Sequence, residues 1–320
     1  MKIRMNSAIF VLVVLVDVTF CRPPQPSETL NYKPTVAILA QLVEGQSNSY
    51  IAASYVKYLE SAGARAVLIP TSLTDEQVTE LFSYVNGVLF PGGGVQWFTS
   101  QYYKHAKIFY DHAIQANKGG DYFPIWGTCL GFETLHVLTT NSGAVLSPFA
   151  ADDISIPLNF TENAASSRLF KDVPPNIYKA METEKVTYNH HSYGISPNAY
   201  NKYPALSRFF KILSTNYDLV GKEFVSMVEA RDYPIYGGQW HPEKNNFEFS
   251  DEIHAPHTTS AVLVSQAMAN FFVSEARKSK HKFPTEEIAS KYLSYNYNTT
   301  YTGKTEGNLK HFEEVYLFPL

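Results

Sequence analysis

The stretch FPIWGTCLGFETL, Phe123 to Leu135, decides how this chain is read. It opens with a short apolar run, ends in helix-forming residues, and between them Gly127-Thr128-Cys129-Leu130-Gly131 sets a cysteine between two glycines. A strand that turns straight into a helix needs a tight, strained bend, and the two elements then run too close for a Cβ at the flanking positions. Gly-x-nucleophile-x-Gly meets that need. In a parallel sheet such a turn stands at the carboxyl edge of the strands, where open α/β folds form their clefts. It also places Cys129 at a helix N-terminus, where aligned peptide dipoles are expected to lower the thiol pKa. The Leu130 amide then points into the same space as an oxyanion donor. A cysteine packed like a small apolar residue in an ordinary strand-to-helix turn fits the same letters.

The segments on either side set the fold class. TVAILAQL (35–42) is a short apolar run bounded by Pro34 and polar residues, a buried strand. Ile51, Tyr55, Val56 and Leu59 follow at helical spacing, with Gly63 where a helix ends. RAVLIP is a second strand, Thr74 with Gln77 has the capping-box spacing, and Val78, Leu81, Phe82 and Val85 repeat as one helix face. GVLF is a third strand, a helix surrounds Tyr103 to Gln115, and YFPIW is the fourth strand, with Pro124 tolerated at its start. Near-continuous apolar strands alternating with helices predict an α/β fold whose central, mostly parallel sheet is covered by helices on both faces. Beyond Ser142 the runs DISIPLNF, FKILST and KEFVSMVEA read as antiparallel additions, YPIYGGQW as another strand, and Ser260 to Ala276 as a long final helix. The polar, tyrosine-rich tail from about Lys280 has no readable pattern.

At 320 residues and 45% apolar content the chain can bury a sizeable core. A formal net charge of −4 carries no basic surplus of the kind that tracks phosphates, so nucleic acid is not an expected partner. Lys2 and Arg4, the apolar stretch from Ala8 to Val16 and the RPPQP that follows Cys21 have the layout of a secretory leader over residues 1–21. Asp17 interrupts that stretch, which is too short for a stable membrane span. Residues 22–320 are then expected to form one domain. Sequons at Asn159 and Asn298 fit export and glycosylation. With the leader removed near Cys21, Cys129 is the one cysteine left, without a partner for a disulfide and either buried filler or a reactive group.

A cysteine nucleophile needs a base that later protonates the leaving amine, and histidine is the usual choice. His241 ends the strand YPIYGGQW, so it too reaches the carboxyl edge, and Glu243 two residues on can orient its ring. His190 and His191, in TYNHHSYG, form a second candidate pair. His254 and His257 lack neighbouring ligands and read as loop residues, so no metal is expected. PGGGV (91–95) has neither the Gly-Lys-Ser/Thr ending of a phosphate loop nor G-x-G-x-x-G spacing. Its better use is a backbone amide, from Gly92 or Gly93, aimed at a tetrahedral oxyanion.

Taken together, PGGG, WGTCLGFE and GGQWHPE, in that order, resemble the class I glutamine amidotransferase-like superfamily with its Cys-His-Glu triad. Within it the chain is most similar to the gamma-glutamyl hydrolase family. YIAASYVKYLESAGARAV, FPGG, DYFPIWGTCLGFE, PLNFT, YGGQWHPEK and FFVSEARK carry that resemblance over nearly the whole mature chain. It implies Cys129 as nucleophile, His241 as proton donor, Glu243 as third triad member, His191 as an additional active-site histidine and Glu133 as a residue contacting the glutamyl group. It implies hydrolysis of folylpoly-gamma-glutamates through a thioester, with Leu130 and Gly93 amides holding the oxyanion, Gly92 against the substrate, and no cofactor. Lysosomal and extracellular residence and a homodimer are implied as well. Two rival readings share the motif: a glutaminase acting on free glutamine, and a secreted binding module with an inert thiol.

Overall fold

Alternation along the strands sorts the apolar side chains into two layers. The computed structural model describes residues 30–304 and 307–320, so the leader read over 1–21, Cys21 included, lies outside it. The main sheet has eight strands: β1 (Thr35–Leu39), β2 (Arg65–Ile69), β3 (Val88–Phe90), β4 (Ile125–Thr128), β5 (Asn159–Phe160), β6 (Phe210–Tyr217), β7 (Glu223–Ala230) and β8 (Ile235–Gly238). Their order is β2-β1-β3-β4-β8-β7-β6-β5. β2, β1, β3, β4 and β8 run parallel, and β7, β6 and β5 continue the sheet antiparallel.

Successive side chains of a strand point to opposite faces. Ala37, Leu39, Val67, Ile69, Val88, Phe90 and Ile125 therefore pack with the helices Asp75–Phe82, Gln101–Lys118 and Leu130–Thr140. Val36, Ile38, Ala66, Leu68, Leu89 and Trp126 pack on the other side, with the helices Ala53–Ser61, Pro175–Thr183 and Thr259–Ala276. Being buried on both faces, these strands have no room for an alternating polar pattern, which is why their sequence is continuously apolar. The capping box at Thr74 forms as its spacing predicts, with Gln77 answering it. Pro124 precedes β4, where its missing N–H removes no ladder bond; its carbonyl accepts from Val88 N–H.

Two features depart from the sequence reading. The helix expected from Ile51 begins at Ala53, because Asn48–Ala52 is a strand. Its partner is the C-terminal strand Glu314–Pro319, which pairs with it antiparallel from Val315↔Ala52 to Pro319↔Asn48. The tail without a readable pattern thus returns to the start of the fold. The run DISIPLNF also divides, since Ser147–Ile156 pairs with Thr187–Gly194 in a separate two-stranded ribbon while Asn159–Phe160 joins the main-sheet edge.

Candidate active site

β4, β3 and β8 lie side by side and end at one edge, so the segments that follow them meet there. Cys129 follows β4, Pro91 to Gly94 follow β3, and Gln239 to Glu243 follow β8. Cys129 N–H donates to Gly238 O at 2.9 Å, which ties the cysteine turn to the end of β8. The backbone at Cys129 has φ 50° and ψ −108°, a conformation that costs a non-glycine residue about 1–3 kcal/mol and persists where surrounding packing enforces it. The enforcing contact is the close approach predicted from the flanking glycines. A Cβ on Gly131 would collide with the carbonyl of Phe90 in β3, and one on Gly127 would stand 2.6 Å from Gly131 O.

His241 is fixed from its backbone outward. Its N–H donates to Tyr188 O at 2.8 Å, and its Nδ1 lies 2.7 Å from Glu243 Oε1. His241 and Glu243 are 4% and 1% exposed. With Nδ1–H held by the carboxylate, Nε2 is the nitrogen left free, and it is buried without a hydrogen-bond partner. A Cβ built on Gly92 would meet His241 Cε1 at 2.5 Å, Tyr55 Oη at 2.9 Å and Cys129 Cβ at 3.2 Å. Gly92 is therefore wedged between the thiol and the imidazole, and only a residue without a side chain fits.

The loop after β3 is held by two residues that the sequence reading did not single out. Gln41, just past β1, donates from Nε2 to Gly92 O and accepts at Oε1 from Gly94 N–H at 3.1 Å. Tyr55 Oη accepts from Gly92 N–H at 2.7 Å and lies 3.4 Å from His241 Nδ1. Burial and the Glu243 carboxylate keep the Tyr55 phenol protonated, its pKa well above the usual value. The Gly92 amide is thus already engaged, which leaves Leu130 and Gly93 as the oxyanion candidates of the sequence reading. Tyr55 was legible only as a helix-face core residue, and Gln41 as the end of a strand.

Cys129 is 5% exposed, and its thiol departs from the expectation of a lowered pKa. Burial pushes it up, the Glu133 carboxylate in the first turn of the same helix adds to that, and the Leu130 N–H opposes both without overcoming them. The resting group is a neutral thiol. Glu133 itself is pushed up to about 7 by burial, opposed by the bond from Gln239 Nε2 to its Oε1 at 3.1 Å. The same Gln239 Nε2 lies 3.9 Å from Cys129 Sγ, so Gln239 bridges the thiol and Glu133 beneath the turn.

Strand alternation separates the two adjacent histidines of Thr187–Gly194. His190 lines the cleft: its carbonyl is 3.8 Å from Cys129 Sγ and its Nδ1 is 2.9 Å from Asp152 Oδ1. His191 turns to the other side, edge-on to Phe224 at 4.9 Å between ring centroids, with Nδ1 bonded to Tyr193 O and Nε2 facing Asn189 Oδ1. The histidine on the cleft wall is therefore His190, where the resemblance implied His191. His254 pairs with Asp153 at 2.6 Å and His257 Nδ1 bonds Asn245 O, so these two are occupied in their loop.

Around Cys129 and His241 lies a cavity of about 260 Å³, whose walls include Tyr55, Gly92 to Gly94, His190 and Lys244. Its remaining wall comes from Leu309, His311 and Phe312, in the tail. A larger hollow, of about 580 Å³, lies between the helices Pro175–Thr183 and Thr259–Ala276 and contains neither the thiol nor His241. Its buried carboxylate, Glu275, already accepts from Tyr236 at 2.8 Å and pairs with Lys278.

Comparison with known proteins gives the chain's family. Residues 34–243 match the family described as Peptidase C26. Gamma-glutamyl hydrolase B of Dictyostelium discoideum is 44% identical over 296 residues, covering 91% of this chain and 84% of that protein. The gamma-glutamyl hydrolase of Homo sapiens is 42% identical over 292 residues, covering 89% and 90%. Among solved structures, the glutaminase domain of Trypanosoma brucei CTPS superposes with a TM-score of 0.50 at 14% identity, over 79% of this chain and 97% of that one, a likeness of fold.

Proposed function

The chain belongs to the Peptidase C26 family, and on that footing we propose that it hydrolyses gamma-glutamyl bonds in folylpoly-gamma-glutamates through a Cys129 thioester. One observation carries the chemistry: His241, its Nδ1 held by Glu243 and its Nε2 unpartnered, lines the same cavity as Cys129. In the first half-reaction Nε2 takes the thiol proton as the sulfur attacks the side-chain carbonyl carbon of the gamma-linked glutamate. The carbonyl oxygen becomes an oxyanion beside the Leu130 and Gly93 amides. Collapse of the tetrahedral adduct breaks the C–N bond, and the His241 imidazolium gives its proton to the departing nitrogen. In the second half-reaction Nε2 takes a proton from water, the hydroxide displaces the sulfur, and the thiol is restored. Glu243 stabilises the imidazolium in both halves, and Tyr55 keeps the Gly92 loop against the ring.

Two arms test this reading. Cys129→Ala is expected to abolish release of glutamate from a pteroyl-gamma-glutamyl-glutamate, and retained hydrolysis by that variant would exclude the mechanism. Turnover of free glutamine in preference to the gamma-glutamyl peptide would place the chain with the glutaminases instead. Export, with residence in the lysosome and outside the cell, is a further part of the proposal, as is a homodimer. The leader-like start and the exposed side chains of Asn159 and Asn298 support export, and the dimer rests on the resemblance alone. A mass unchanged by endoglycosidase treatment of the protein purified from its source would remove the glycosylation.

A further inference from the structure

Lys244, the residue after Glu243, is 2% exposed and lines the cavity shared by Cys129 and His241. Its ammonium packs 4.6 Å from the centroid of the Phe312 ring. Among the described residues no carboxylate oxygen lies within 4.0 Å of it. The buried Glu248 carboxylate acts on it only through space, so an anion arriving in direct contact gains a charge-assisted bond to a cation already withdrawn from water. The neighbouring wall offers a second donor. His311 faces the same cavity, its ring 5.4 Å from that of His190, and its Nδ1 is buried without a hydrogen-bond partner. The tail thus brings one unpartnered nitrogen, and the segment after β8 one ammonium that no carboxylate of the described residues touches, to the same cavity.

The position of Lys244 in the chain says which anion this is. His241 protonates the departing nitrogen, and Lys244 stands three residues on, past the carboxylate that holds the imidazole. In a gamma-linked polyglutamate the carbon attached to that nitrogen also bears the α-carboxylate of the leaving residue, so the carboxylate arrives on the His241 side of the scissile bond. We propose that Lys244 and His311 form a carboxylate subsite that holds the α-carboxylate of the leaving glutamate, selecting amines that bear an anion next to the departing nitrogen. This rests on the gamma-glutamyl reading above and names the group recognised on the leaving side.

The test compares two substrates in the full chain: pteroylglutamate gamma-linked to glutamate, and pteroylglutamate gamma-linked to 4-aminobutyrate, which lacks only the α-carboxylate on the leaving amine. A charge-assisted bond to a buried carboxylate corresponds to roughly a 10- to 100-fold effect. Lys244→Met is expected to lower kcat/KM for the glutamate substrate by about that factor and to leave the 4-aminobutyrate substrate within about three-fold of the parent chain. His311→Leu is expected to show the same selectivity with a smaller loss of about ten-fold. Lys244→Arg, which keeps the cation, should retain most of the discrimination between the substrates and covers the case in which Lys244→Met does not fold. Equal losses on both substrates, or no loss on either, would overturn the subsite. If the parent chain cleaved neither substrate, the gamma-glutamyl reading itself would fail, a result separate from any behaviour of the variants.

Discussion

His241 Nδ1 lies 2.7 Å from Glu243 Oε1 although only Pro242 separates the two residues in the chain. The short span holds the imidazole from its own segment, and Tyr55 and the Gly92 loop pack against it from elsewhere in the chain. The carboxylate selects the tautomer with Nε2 as the free nitrogen and stabilises the imidazolium that forms when the thiol proton arrives. Glu243→Gln keeps the shape and removes the charge. It is expected to lower kcat by roughly two to four orders of magnitude with little change in KM. Steady-state kinetics on a pteroyldiglutamate check this, and a kcat within three-fold of the parent would show that the carboxylate does not support the reaction.

Cys129 and Glu133 lie one helical turn apart, and burial, with the carboxylate adding to it, pushes the thiol pKa above its ordinary value. The thiolate is the species that iodoacetamide alkylates, and its fraction grows about ten-fold per pH unit while the pH stays below the thiol pKa. The rate of inactivation should therefore climb across about pH 6 to 9 with a logarithmic slope near one, flattened around pH 7 where Glu133 ionises and raises the thiol pKa further. A plateau beginning below neutrality would mean that a thiolate–imidazolium pair exists before substrate binds.

Gly131 packs against the backbone of β3, where Phe90 O occupies the space a side chain would need. Neither partner can rotate away, because both are backbone. Gly131→Ala must push the helix Leu130–Thr140 off the sheet, at a cost of about 3 kcal/mol. For a chain of this size that corresponds to a fall in Tm of roughly 4–6 °C. Differential scanning calorimetry reads the shift, and a variant melting within about 2 °C of the parent would show that the turn is looser than the geometry says.

The parts of the site that the sequence discloses are those written into short contiguous motifs. Gly127 to Gly131 and His241 to Glu243 announce themselves because the strained turn and the adjacent carboxylate require particular residues at fixed offsets. The helices and parallel strands are equally readable, since Val36 to Leu39 and Arg65 to Ile69 carry their burial in their composition. What stayed hidden depends on contacts distant in sequence. Gln41 grips a loop 51 residues on, and Tyr55 reaches His241 from 186 residues upstream, both with the spacing of ordinary core or strand residues. The strand Glu314–Pro319 has no strong pattern of its own and is ordered by pairing with Asn48–Ala52, so neither half could be read without the other. The side of the strand on which His190 and His191 fall turns on register, which two adjacent identical residues do not disclose.

His136, in the helix Leu130–Thr140, is buried on the face of the sheet away from the helix Thr259–Ala276. It is 0% exposed, with Nδ1 bonded to Phe132 O and Nε2 to Tyr200 Oη, each at 2.8 Å. Burial lowers its pKa from 6.5 to about 4, opposed in part by the Phe132 carbonyl. The folded value lies below the unfolded one, so the unfolded chain takes up the proton first. The stability that neutral His136 contributes is complete above pH 6.5 and is lost as the pH falls toward 4. That loss amounts to about 3 kcal/mol across the window. His190 and His191, lowered to about 4 and about 3, act in the same direction. Urea unfolding at several pH values between 7 and 4 is expected to show stability falling with acid in the parent chain, and falling less steeply in His136→Gln. The comparison uses slopes, so a general weakening of the variant does not disturb it. Parallel slopes would mean that His136 already carries its proton in the folded chain, or never gains one on unfolding, and the burial argument would be wrong.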